Sequence, residues 1–197
     1  INLLVVLKHL GFAELNGYIK PVTKGIKQKI VAPLFLTKEH IQSSLDVFPI
    51  EFCELKDNHL VIYGEDLLEN ISIKPQDLRL QCEREIKSRL IRIRQAYLEL
   101  GQKADGLRSL LEDSLVSILP IIRNVIRLKG KAPAVKKEAV LEELSNEFGL
   151  PVDSFRQILQ LKSRKKTPQK AELEAIFSDY LQQVQQLALV VDRLRVG

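Results

Sequence analysis

The stretches Ile1-Asn2-Leu3-Leu4-Val5-Val6 and Phe48-Pro49-Ile50-Glu51-Phe52 set the architecture expected of this 197-residue chain. The first is a short apolar run with one polar residue, Asn2, and it leads into Lys8, His9 and Gly11. Its Val and Leu content predicts a buried strand. The second is an apolar segment with a lone carboxylate, Glu51, at its centre and is expected to be another strand, over Val47 to Leu55. An acid inside a buried strand is costly unless it is paired, solvated at the strand edge or bound to a metal ion.

Between these stretches the pattern alternates. Phe12, Leu15, Ile19 and Val22 recur at a helical period, interrupted by Gly17 and Pro21. Ile30 to Leu36 predicts a further strand, with Pro33 marking an edge or bulge. Thr37 has the chemistry of an N-cap for a short helix over Lys38 to Leu45. Lys56-Asp57-Asn58 reads as a turn, and His59 to Tyr63 as a short strand or extended segment closed by Gly64. Glu65 and Asp66 are expected to cap a short helix at Leu67-Leu68.

From Gln76 onward the periodicity is helical. A first helix, from about Asp77 to Gln102, carries the stripe Cys82, Ile86, Leu90, Ile93, Tyr97 and Leu100, with Glu83–Lys87 and Glu85–Arg89 as i,i+4 pairs. A second, from about Asp105 to Leu128, is the most apolar and contains Pro120, which is expected to kink or split it. Helices over Lys136–Phe148, ended by Gly149, and from Pro151 to Leu161 should form a cap. A long helix over Pro168–Val196 completes a bundle with the first two. The fold class expected is therefore α+β: a small mixed sheet domain over residues 1–75, then an all-α helical bundle domain over residues 76–197.

Charge follows this division. Residues 1–75 hold 8 Lys, no Arg and 9 acids, and the remainder holds 22 basic and 16 acidic residues, so the excess of positive charge lies in the helical half. No apolar run approaches the roughly 20 residues that span a bilayer, and Ile1 to Val6 lacks the length and basic flank of a signal peptide. Two cysteines without CxxC spacing argue against a zinc site or a disulfide framework, and a reducing, cytoplasmic setting is expected. Methionine is absent and the chain opens inside a strand-like run, so the sequence is expected to lack its natural start.

The two opening stretches, with Leu60-Val61-Ile62-Tyr63-Gly64-Glu65-Asp66-Leu67-Leu68, resemble part of the polymerase-beta-like nucleotidyltransferase family, in the bacterial form that carries a C-terminal helical domain. In that family a Gly-Ser turn precedes a strand with two acids around one apolar residue, and a third acid lies on a neighbouring strand. Ile1-Asn2-Leu3 is similar to the end of the paired-acid strand and Ile50-Glu51-Phe52 to the third-acid strand. The resemblance covers roughly residues 1–75 and the order of the two domains. Two features depart from it: Asn2 occupies the second acid position, and the first acid and the Gly-Ser turn are not in this sequence.

The resemblance implies transfer of a nucleoside monophosphate from an NTP to a hydroxyl acceptor. Mg²⁺ would be the cofactor, Glu51 the catalytic acid and a metal ligand, and Asn2 the occupant of a weakened metal position. The alternative is a catalytically degenerate nucleotide-binding or protein-interaction module, with a protein partner or a second copy docking through the helical domain. Nucleic acid is a weaker partner, resting on Arg84, Lys87, Arg89, Arg92 and Arg94 and on the loop cluster Lys162, Arg164, Lys165 and Lys166, since aromatic interleaving is poor. No membrane partner is expected. The histidines His9, His40 and His59 are scattered and do not form metal-ligand spacing.

Overall fold

A computed structural model of the chain describes residues 3–100, 104–161 and 168–196. Its elements run β1 (Leu4–Leu7), α1 (Phe12–Lys27), β2 (Leu34–Thr37), α2 (Lys38–Ser43), α3 (Pro49–Asp57), α4 (Pro75–Leu100), α5 (Ala104–Arg127), α6 (Lys137–Phe148), α7 (Asp153–Leu161) and α8 (Lys170–Arg193). The sheet is not mixed. Among the described residues it is one parallel pair, with Leu4 opposite Leu34 and Leu7 opposite Thr37, and α1 is the crossover.

The expected third strand is a helix. Pro49 stands at the start of α3, where a missing N–H costs nothing and the fixed φ suits the first turn. The segment looks strand-like in sequence because two opposite sides of the helix are buried. Ile50 and Cys53 enter the main core, while Phe52 joins a small cluster with Ile41 and Leu68. Buried on both sides, α3 has a near-continuous apolar run and little helical period.

His59 to Tyr63 pairs with neither strand, and Leu60, Ile62 and Tyr63 are exposed. Leu67-Leu68 is not helical. Asp66 instead accepts hydrogen bonds from the backbone N–H groups of Leu68 (3.0 Å) and Glu69 (3.1 Å) and closes a turn. Thr37 caps α2 as expected, its Oγ1 accepting from His40 N–H at 3.1 Å.

In the α/β unit, α1 covers one face of the sheet, with the Tyr18 ring 5.0 Å from that of Phe35. Leu4, Val6 and Leu36 pack on the other face against the cluster of Ile41, Phe52 and Leu68.

The bundle follows its sequence pattern closely. α4, α5 and α8 pack against one another, and α6 and α7 cover one side. Only residues 101–103 link α4 to α5, so these two run antiparallel. Gly106 allows that tight approach, because a Cβ there would lie 2.6 Å from Leu100 Cδ2. α5 continues through Pro120 without splitting. Leu111, Leu115, Ile118, Ile122 and Ile126 on α5 are buried in the core, and this packing holds the helix together across the lost backbone bond. Gly149 ends α6 in the left-handed region at φ 63°, its N–H donating to Ser145 C=O. Buried polar groups are paired: Tyr180 Oη with Ser114 Oγ at 2.6 Å, and Ser154 Oγ with Gln183 Oε1 at 2.6 Å.

Candidate functional site

Glu51 lies in the first turn of α3, where the helix dipole favours a carboxylate, and it is exposed. It is held from α4. The buried Gln81 carboxamide accepts from Ile50 N–H through Oε1 at 2.7 Å and donates through Nε2 to Glu51 Oε2 at 2.7 Å. One side chain therefore satisfies an orphan donor at the start of α3 and orients the acid beside it. Glu51 is not on a strand next to β1, as the sequence reading expected. Asn2 lies outside the described residues, as does the cluster Lys162, Arg164, Lys165 and Lys166.

Further along α3, Glu54 Oε2 accepts from Arg123 Nη1 at 2.9 Å, and Asp57 pairs with Arg127. The arginines are one turn apart on α5 and the acids almost one turn apart on α3, so the two helices are laced together. Asp57, Asn58, Arg123, Arg127 and Lys131 line a cleft of about 560 Å³ closed by the 130–135 loop. Its charges are already matched, since Lys131 pairs with Glu147. This cleft joins the α/β unit to the bundle and is not a bare anion site.

His59 follows α3. Its Nδ1 faces the carbonyl oxygens of Leu55 and Lys56, each at 3.0 Å, and its Nε2 faces Asp66 Oδ2 at 3.0 Å. Both ring nitrogens thus meet acceptors, which favours the imidazolium. The bond to Asp66 raises the His59 pKa, and the same bond lowers that of Asp66.

The folded His59 pKa lies above its unfolded value of about 6.5, so its contribution is complete below that pH and is lost as pH rises through the folded value. The Asp66 contribution is present above about pH 3.9 and is lost as pH falls through its depressed folded value. The turn at 59–69 is therefore best anchored between these limits. Asp66→Asn is expected to return the His59 titration, followed by the NMR shift of its Cε1 proton, toward pH 6.5. An unchanged titration would show that Asp66 does not hold the ring.

The basic set on α4 is largely paired: Lys87 Nζ with Glu83 at 2.6 Å and Asp192 at 2.9 Å, and Arg89 with Glu85 at 3.4 Å. Cys53 and Cys82 are free and buried, and desolvation pushes both thiols up. His9 and His40 are exposed. Among the described residues no three His, Cys, Asp or Glu side chains converge as a metal-binding group. Glu51 alone does not fit the pair of Mg²⁺ ions that the resemblance implies, because such ions need several hard oxygen ligands. Among the described residues no helix is long and apolar enough to cross a membrane.

Sequence reasoning missed Gln81, Arg123 and Arg127. The i,i+4 spacing of the two arginines on an otherwise apolar helix was the available signal. Gln81 left none, since its partners lie 30 and 31 residues away.

The chain matches no family model, no curated protein and no solved structure in comparisons with all three. The resemblance to nucleotidyltransferases therefore rests on the quoted residues alone.

Proposed function

We propose that the chain is a protein-interaction module whose α/β end docks a partner on the outer face of α1. The supporting observation is that α1 has no buried residue, although it carries an apolar stripe. Phe12 is 85%, Leu15 46%, Ile19 57% and Ile26 53% exposed along one line of the helix. Contiguous apolar surface of this kind marks an interaction site on a folded protein.

A photo-crosslinking side chain placed at Ile19 is expected to give one discrete adduct in cells of the source organism. The same group at Ile91, an exposed apolar residue on α4, should give none. Adducts of equal yield from both positions, or from neither, would defeat this reading.

A second reading, nucleotidyl transfer, is favoured by one observation: Gln81 holds the exposed Glu51 carboxylate in a fixed orientation where the α/β unit meets the bundle. On this reading Glu51 contributes one oxygen ligand and the others come from outside the described residues. Calorimetry with ATP and Mg²⁺ tests it: heat of binding that Glu51→Gln abolishes would support it, and binding unchanged by that substitution would count against it.

A further inference from the structure

We propose that the α1 face receives an amphipathic helix whose apolar seam is flanked by acidic side chains. This rests on the interaction-module reading and names the partner's chemistry. Phe12, Leu15, Ile19, Val22 and Ile26 are spaced by alternating steps of three and four, the period of a helix-on-helix seam. Tyr18 packs on Phe35 and Val22 is half-buried, so the sheet holds one flank of the stripe and the seam opens away from it.

The open flank is basic. Lys20, Lys24 and Lys27 follow one another at i, i+4 and i+7 on that side, all exposed and none in an ion pair among the described residues. The acid of α1, Glu14, is engaged at the other end, accepting from Gly11 N–H at 2.8 Å. A helix seated on the stripe sets its own flank against three unpaired ammonium groups, so glutamates there attract and lysines repel.

A second copy of the chain brings the same lysines and is disfavoured. An anionic lipid surface would answer the charge, but a helix lying in a membrane buries a broad apolar face. Here the seam is one row wide, and Asn16 and Thr23 border it.

The probe is a designed three-heptad helical peptide with leucine seam positions and glutamate flanks, compared by fluorescence anisotropy with a peptide of the same seam and lysine flanks. Vesicles of phosphatidylcholine and phosphatidylserine serve as the third ligand. The glutamate-flanked peptide is expected to bind about tenfold more tightly than its lysine counterpart, the scale of a few exposed charge pairs gained rather than opposed. Converting the rail (Lys20→Glu, Lys24→Glu, Lys27→Glu) should invert that preference with the thermal midpoint little changed, since all three side chains are exposed.

Equal binding of the two peptides would overturn the acidic partner. If Ile19→Asp then abolished both, the interaction face itself would stand. Capture of the chain by vesicles with neither peptide bound would replace the helix with a lipid surface. If neither peptide nor vesicle bound while the crosslink at Ile19 still formed, the partner chemistry alone would fall. If the crosslink also failed, both readings would fall.

Discussion

Replacing Ile122 by alanine is expected to destabilise the protein by about 2–5 kcal/mol, the range for truncating a large aliphatic side chain in a packed core. Ile122 is fully buried at the centre of α5, the helix that touches α4, α6, α7 and α8. Truncation removes apolar contacts and leaves a void that several helices would have to move together to fill. For a chain of this size each kcal/mol lowers the thermal midpoint by roughly 2–4 °C, so calorimetry should show a drop on the order of 5–15 °C. Ile91, exposed on α4, supplies the control, and Ile91→Ala should change stability by no more than about 0.5 kcal/mol. A loss at Ile122 as small as that at Ile91 would mean that the bundle is not centred on α5.

Gln81→Leu should cost about 1–3 kcal/mol, although leucine is close to glutamine in volume, because it leaves a buried donor without a partner. The Ile50 N–H would lose its acceptor at a place that water does not reach, and Glu51 would lose its tether. Glu51→Gln should cost less, since the acid is exposed and water can replace its bond. Hydrogen exchange separates this effect from general loosening. The Ile50 amide should exchange faster in Gln81→Leu, while amides in the middle of α5 keep their protection relative to global unfolding. An Ile50 amide as protected as before would show that the carboxamide bridge is not formed.

The bundle was legible in the sequence because each of its long helices has one apolar side and one wet side. The stripe from Cys82 to Leu100 and the i,i+4 pairs beside it leave one sensible reading. The α/β unit was legible only where the chain behaves simply, in β1, in the crossover helix and at the Thr37 cap. α3 was misread because burial on two sides erases the period that distinguishes helix from strand, and Pro49 was the overlooked cue. Leu60 to Tyr63 misled in the opposite way: it has the composition of a strand and lies in water. At the site, Glu51 was found from the sequence, but its surroundings were not. The tether comes from Gln81, a residue type that attracts no notice in a helix, and sequence distance hides the pairing. The lacing of Glu54 and Asp57 to Arg123 and Arg127 was hidden in the same way, since charges on two distant segments reveal their partnership only once the helices are side by side.

The last turn of α8 lies against the first turns of α4. Arg79 Nη1 donates to the carbonyl oxygens of Val191 and Asp192, each at 3.4 Å, and Lys87 Nζ reaches the Asp192 carboxylate at 2.9 Å. The five helices of the bundle therefore make a ring in space, although they are a line in sequence. Where a line closes on itself, the place at which it is cut becomes a matter of convention. The order α4 to α8 is then one of several cyclic orders that the same packing accepts, and a permuted chain joined near Arg193 and Pro75 and opened at another interhelix connection would bury the same core.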